Sequence, residues 1–395
     1  MTFDALWAEL TDVGREPSTG GYRRFAWTRI DAELREWFGA AATARGLDLV
    51  VDRCGNQWAW WGDADSVPGV VTGSHLDSVP DGGAFDGPLG VVSAFGAVDA
   101  LRAAGVRPTR PLGVVNFADE EGARFGIACT GSRLLTGALA PDRALALRDN
   151  DGVTLAEALR TAGRSTDIAA DAETLRRIGV FVELHVEQGR ALIDVGAPVA
   201  VATSIWPHGR FRAELPGEAN HAGTTALADR RDPTLAYAQF VLAARAAAER
   251  TGSVATCGKV RVERNGVNAI PARVTAWLDA RGPSAEGVRA VVAELSDLAS
   301  AAGGVLVEES WTDETAFDVA LGERLAAALG DAPRLATGAG HDAGVLAQYG
   351  IPAGMLFVRN PTGVSHSPAE FAERADCLAG VDALTAVLER LLTGS

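Results

Sequence analysis

The stretch PGVVTGSHLDSVPDGGAFDGPLG, residues 68–90, decides the fold class. It begins with a strand-like apolar run and ends that run on a histidine and an acid, His75 and Asp77. After a glycine-rich loop carrying Asp86, a helical pattern at 88–104 is opened by Pro88, at a first-turn position where the missing N–H costs nothing, and closed by Gly105. Outward from this unit the alternation repeats. LGVVNFADEEG (112–122), a helical stretch around 153–163 and GVFVELHVEQG (179–189) continue it. Apolar strand-like runs alternating with helices predict an α/β sheet.

The character changes near residue 205. RFRAEL reads as a strand, 233–251 as a long helix, KVRVERNGVNAIPARVTAWLDAR (259–281) as antiparallel strands, and 284–302 as another helix. This βαββαβ-like block predicts a second, smaller domain. Helix 321–330 and the strand-like AGMLFVRN (353–360) then return to the first style. The expected organisation is an α/β domain with a central mixed sheet flanked by helices, built from residues 1–204 and 316–395, with an α+β domain of residues 205–315 inserted into it.

Bulk properties narrow the function. The 395 residues are 47% hydrophobic, and the mean hydropathy of +0.08 fits a soluble globular protein with a sizeable core. No run approaches a membrane span. The acidic N-terminal stretch lacks the basic and apolar regions of a signal peptide, so the cytoplasm is the expected location. A net charge of −15 argues against nucleic acid as a partner. The four cysteines, Cys54, Cys129, Cys257 and Cys377, are scattered without a CxxC pair, so neither a thiolate zinc site nor a disulfide framework is indicated.

The chemistry-bearing residues recur at strand ends. His75, Glu120 and Glu121, His185 and His366 come from four separate runs, and Asp86 heads the helix after the first. Each has an ordinary reading alone: Asp86 as a helix N-cap, His185 as a hydrogen-bonded core histidine, His366 as a loop residue, Asp119-Glu120-Glu121 as a solvated acidic loop. Together they point elsewhere. Sites in open α/β sheets form outside the carboxyl ends of the strands. Three histidines and two carboxylates suit a pair of borderline divalent ions with one carboxylate bridging. A further carboxylate beside such ligands serves as a general base.

The motifs GSHLDSVPDGGAFDGPLG, ADEEGARF, CTGSR, ELHVEQG, EANHAGTT, NAIP, GAGHDAG and GVSHSP resemble the amidase/carbamoylase branch of the zinc aminoacylase–carboxypeptidase superfamily, which includes N-carbamoyl-L-amino acid hydrolase, β-ureidopropionase and allantoate amidohydrolase. They span roughly residues 70–370 in the family's order. The resemblance implies that His75, Asp86 and His185 hold one metal ion and Asp86, Glu121 and His366 another; histidine and carboxylate ligands accept Zn, Mn, Co or Ni, and availability decides among them. It implies Glu120 as general base, with Asp77 orienting His75. It implies that Gln188, His221, Asn268 and Arg281 contact a small ureido-carboxylate substrate, His221 at the oxyanion and Arg281 on the carboxylate. It further implies that residues 205–315 form a lid that pairs two subunits, so that a homodimer is expected and a neighbour's His221 and Asn268 complete each site.

The match departs from the family at the lid entrance. Ile205-Trp206-Pro207-His208-Gly209-Arg210 stands where a Gly-Gln-Arg element is usual. Pro207 fixes a φ angle there, and His208, in place of Gln, reads as an exposed hinge residue. Ala226-Leu227 replaces Pro-Met after Thr224-Thr225, and His341-Asp342 shape the site without an assigned role. An aminoacylase or dipeptidase of the same superfamily and a non-catalytic binding protein are the rival readings. A nucleotide enzyme is set aside, because no G-x-G-x-x-G follows a strand and opens a helix.

Overall fold

In a computed structural model describing residues 2–394, the chain forms two compact units: the chain up to Thr203 together with that from Ala316 onward, and Ser204–Thr315. The first unit carries strands β1 (Asp48–Val51), β2 (Gln57–Trp61), β3 (Gly69–His75), β4 (Leu112–Phe117), β5 (Ile178–Val186) and β6 (Val199–Ile205). The second carries β7 (His208–Pro216), β8 (Asn220–His221), β9 (Val254–Glu263), β10 (Ala269–Ile270), β11 (Arg273–Arg281) and β12 (Val305–Thr312). Strands β13 (Thr315–Ala316), β14 (Arg334–Thr337) and β15 (Ala353–Val358) complete the count.

A nine-stranded mixed sheet runs β1-β2-β4-β3-β5-β15-β6-β13, with β14 paired to β6. Its centre is parallel: β4 with β3, β3 with β5, β5 with β15. Strands β3, β4 and β15 are buried at every position, as expected for parallel strands covered on both faces. Parallel pairing sends the carboxyl ends of β3, β4 and β5 to one edge, so His75 on β3 lies opposite Phe117, with Asp119 to Glu121 just beyond. His185 on β5 lies opposite Phe357.

Helix Pro88–Ala103 is buried on most of its circumference and belongs to the main core with β3, β5 and helix Arg374–Thr393. The sequence boundaries shift by a residue or two for local reasons. Helix Pro88–Ala103 stops before Gly105, which turns the chain at φ +72°. Helix Val319–Ala328 begins two residues earlier than its pattern because Asp318 caps it by accepting from the Leu321 amide. Helix Leu155–Thr161 is set by a capping box between Thr154 and Glu157. None of the helices among the described residues is long and apolar enough to cross a membrane.

The second unit is a four-stranded antiparallel sheet, β12-β7-β11-β9. Helices Pro233–Thr251 and Ala285–Ala301 pack on it around Phe211, Phe240, Leu278 and Leu295. Its β9 is an edge strand.

Phe95 is fully buried in the main core against Trp37 and Phe38. Truncating such a side chain costs about 3–5 kcal/mol. The Phe95→Ala variant is therefore expected to melt several degrees below the parent in a thermal scan, with the metal content of its folded fraction unchanged.

Candidate active site

The loop after β3 is folded back onto its strand by one glycine. Gly87 sits at φ +83° and provides the N-cap of helix Pro88–Ala103. A Cβ there would stand 2.5 Å from the His75 ring. The N-cap role open to Asp86 in the sequence thus falls to Gly87, and the Asp86 carboxylate is released to face histidines.

That carboxylate divides its oxygens. Oδ1 lies 3.2 Å from His185 Nε2 and 3.6 Å from His75 Nε2, while Oδ2 lies 3.3 Å from His366 Nε2. Glu121 Oε2 is 3.5 Å from the same His366 nitrogen. Two three-residue donor groups result, His75–Asp86–His185 and Asp86–Glu121–His366, each with its ligand atoms within 4.8 Å of one another.

The donor set fits divalent ions. His185 Nδ1 donates to the Val186 carbonyl at 2.9 Å, and His75 Nδ1 lies 3.2 Å from the Asp77 carbonyl, which leaves Nε2 of both rings directed at Asp86. Both Nε2 atoms are buried without a hydrogen-bond partner, as is Glu121 Oε1. The electrostatics agree. Burial and the Asp86 charge push the Glu121 carboxyl up to about 7, and burial pushes Glu120 well above the usual carboxylate range. Asp86 moves the other way: burial opposes its ionisation, but the imidazoles of His185, His366 and His75 that face it hold it well below that range. Hydrogen bonding to the Asp86 carboxylate raises His366 to about 9. Clustered acids in a buried site call for a dication.

Glu120 stands beside these groups and belongs to neither. Its Oε2 is 3.7 Å from His75 Nε2, and its Oε1 accepts from the Cys129 thiol at 3.3 Å. Asp77 orders this corner. Its Oδ1 accepts from the Glu120 amide at 3.1 Å and lies 3.4 Å from His75 Nδ1, and its Oδ2 accepts from the Glu121 amide at 3.0 Å. Gln188 enters the donor cluster itself: its Nε2 donates to Asp86 Oδ2 at 2.8 Å, and its Oε1 has no partner.

In the second unit, the β8–β10 bridge sets His221 opposite Ala269, and the Ala222 amide donates to the Asn268 carbonyl, so His221 and Asn268 are brought together. The His221 Nδ1 accepts from the Gly223 and Thr224 amides, which fixes its tautomer and leaves Nε2 as the N–H. Arg281 ends β11 in a fork with Asp279, at 2.6 and 2.9 Å. Its cross-strand neighbour is His208. His208 is half-buried as the first residue of β7 rather than an exposed hinge residue, because pairing to both Arg281 and Thr312 draws it into the sheet.

Several supporting residues escaped the sequence reading. Glu370 Oε2 accepts from the Phe85 and Asp86 amides at 2.9 and 3.0 Å, and its Oε1 lies 3.2 Å from the Ser365 hydroxyl. It fastens the Asp86 loop to the His366 loop. Glu183 accepts from the Ser74 hydroxyl at 2.6 Å and the Ala343 amide at 3.2 Å. It also forms a third donor group with His185 and His341, but with both oxygens already engaged it supports the site rather than offering a ligand. The His341 ring packs edge-on against His185 at 4.5 Å. No local signal marks Glu370, since its partners lie 284 and 285 positions away. Partners that orient metal ligands are commonly worth 10–100-fold in affinity. Glu370→Gln is expected to weaken metal binding by roughly that factor in a calorimetric titration, with the melting temperature of the metal-free protein little changed.

Known proteins resemble this chain along nearly its whole length. Peptidase family M20/M25/M40 matches residues 62–390. An N-carbamoyl-L-amino acid amidohydrolase of Geobacillus stearothermophilus is 36% identical, covering 99% of each chain. An allantoate amidohydrolase of Escherichia coli K12 is 32% identical over 97% of this chain and 95% of its own. The crystal structure of an amidase of the hydantoinase/carbamoylase family from Burkholderia vietnamiensis superposes with a TM-score of 0.88 at 31% identity, covering 99% of this chain and 97% of that one. With this fold and these motifs in the same order, the chain belongs to peptidase family M20/M25/M40, in its amidase/carbamoylase branch, and is a metal-dependent hydrolase of carbon–nitrogen bonds other than peptide bonds.

Proposed function

We propose that the protein hydrolyses the ureido carbon–nitrogen bond of a small carboxylate, an N-carbamoyl-L-amino acid, using two divalent ions per chain. The observation that carries this reading is the division of the Asp86 carboxylate, with Oδ1 among His75 and His185 and Oδ2 beside His366. The substrate class is supported by the names of the relatives. His75, Asp86 and His185 would hold one ion and Asp86, Glu121 and His366 the other, and the pair would supply Lewis acidity to the carbonyl and lower the pKa of water.

The chain's own residues do the rest. Glu120 takes the proton of the attacking water and passes it to the departing nitrogen, which balances the hydrolysis. The Cys129 thiol on Oε1 leaves Oε2 as the oxygen facing the reacting centre. Asp77 keeps His75 in the tautomer whose Nε2 is the free donor atom. His221, with Nε2–H as its outward donor, would stabilise the oxyanion in the neighbouring subunit's site. Arg281, whose guanidinium Asp279 orients, anchors the substrate carboxylate and so fixes where the ureido group lies. With His208 directly across the strand from Arg281, this pair tunes which carboxylates are accepted.

A homodimer fits the second unit. Strand β9 leaves a sheet edge unpaired, and helix Pro233–Thr251 exposes Leu235 and Leu242. Exposed edges and apolar helix faces are pairing surfaces.

Ammonia release from metal-reconstituted protein is the direct test, across N-carbamoyl-L- and D-amino acids, carbamoyl-β-alanine, allantoate and ureidoglycolate. One preferred, chelator-sensitive N-carbamoyl-L-amino acid is the expected result, and turnover confined to acyl-amino acids or dipeptides would overturn it. Glu120→Gln is expected to lower kcat by at least about 10²–10⁴-fold, the usual contribution of a general base, while elemental analysis still finds the metal. Leu242→Glu is expected to shift the mass seen by light scattering from dimer toward monomer.

A further inference from the structure

The loop that carries Asp86 offers few side chains of its own to hold it. Pro80-Asp81-Gly82-Gly83-Ala84-Phe85-Asp86-Gly87 contains three glycines, whose backbone freedom is lost when the loop is fixed. Phe85 is its one aromatic residue. Gly83 leaves room for the Glu370 side chain, since a Cβ there would collide with that carboxylate. Glu370 then accepts the Phe85 and Asp86 amides, which holds the main chain. The Phe85 ring is held by a separate set of contacts.

That ring lies in an aromatic row. Trp7 is 5.0 Å from it between centroids, Phe371 meets it edge-on at 6.3 Å, and Phe3 stacks on Trp7 at 5.6 Å. Aromatic pairs at such separations attract beyond the area they bury. Phe371 adjoins Glu370, so one segment holds Phe85 by its amide and by its ring. Trp7 holds the same ring from helix Phe3–Leu10. The helix has its own anchors in the main core, the buried Phe3, Leu6 and Leu10. Trp7 is only half-buried, at the core's margin, and shares a cleft with Ala84 and Pro88, two residues before and two after Asp86. Asp4 and Arg374 also tie this helix to the chain after Phe371, but that pair is exposed and adds little. Trp7 is thus spare for docking the helix and is spent on the Asp86 loop.

We infer that Trp7 is a positioning residue for the Asp86 carboxylate, acting through the Phe85 ring. The inference rests on the reading of Asp86 as a metal ligand. Trp7 touches neither donor group. It clamps Phe85 from one side while Phe371 and Glu370 clamp it from the other, and the next residue is the carboxylate that must face His75, His185 and His366 together. Asp86 belongs to both three-residue groups. Loosening it therefore weakens both ions, whereas a change at Glu121 touches only one group.

Cobalt(II) is the probe, titrated calorimetrically into the full-length, metal-free protein. Trp7→Leu keeps an apolar side chain on the helix but removes the ring. It is expected to weaken both ions by roughly tenfold, the lower end of what partners that orient metal ligands contribute. Trp7→Phe restores a ring and is expected to bind close to the parent. Phe85→Leu removes the other half of the contact and carries the same expected loss, so the test survives if one variant fails to fold. Phe95→Ala is the control, a core truncation expected to lower the melting temperature and leave cobalt affinity unchanged. Parent-like affinity in Trp7→Leu or Phe85→Leu would overturn the inference, as would an equal loss in Phe95→Ala, which would tie affinity to overall stability. A parent that takes up a single cobalt ion would overturn the two-ion reading instead. Trp7 would then be judged on that ion alone, supported by weaker binding in Trp7→Leu and overturned by equal binding.

Discussion

The site depends on one carboxylate serving three histidines. Asp86 is buried and lies within 3.6 Å of the Nε2 atoms of His75, His185 and His366. Without it the imidazoles would share no centre, and Glu121 would face His366 alone. The arrangement is expensive in isolation. Two like charges 4 Å apart repel by about 4 kcal/mol at an effective dielectric of about 20, and Asp77, Glu120 and Glu121 all crowd the same pocket. Burial raises Glu120 and Glu121, whereas the histidines hold Asp86 down.

Much of the remaining structure holds that carboxylate still. The parallel strands β3 and β5 bring His75 and His185 to one edge, and Gly87 lets the returning helix pack directly against the His75 ring. Glu370 accepts the amides of Phe85 and Asp86 and reaches Ser365 beside His366. Asp77 does the same for the amides of Glu120 and Glu121. Two acids outside the donor groups therefore fix the three loops that carry Asp86, Glu121 and His366. Strain collects in the same place: Asp119, Cys129 and His366 all adopt left-handed φ angles of 53–55° without being glycine.

The strand-end histidines and acids were legible in the sequence because their signal is local. An apolar run ending in His, or in Asp-Glu-Glu, places the residue at a strand's carboxyl end whatever the rest of the chain does. The inserted block was legible because alternation in 259–281 replaces the continuous apolar runs of buried parallel strands. What stayed hidden is nonlocal. Nothing near Glu370 points to Phe85, and the hydrogen bond from Cys129 to Glu120 needs a left-handed turn that no composition rule announces. Reading His208 as exposed failed for a similar reason, since its burial comes from strands on both sides of β7.

The most direct measurement is anomalous diffraction from crystals of the metal-loaded protein, collected at the metal edge. The account predicts two peaks per chain on opposite sides of the Asp86 carboxylate, one within ligand distance of His75 and His185, the other of Glu121 and His366. A single peak, or a peak among Glu183, His185 and His341 with none beside His366, would contradict it.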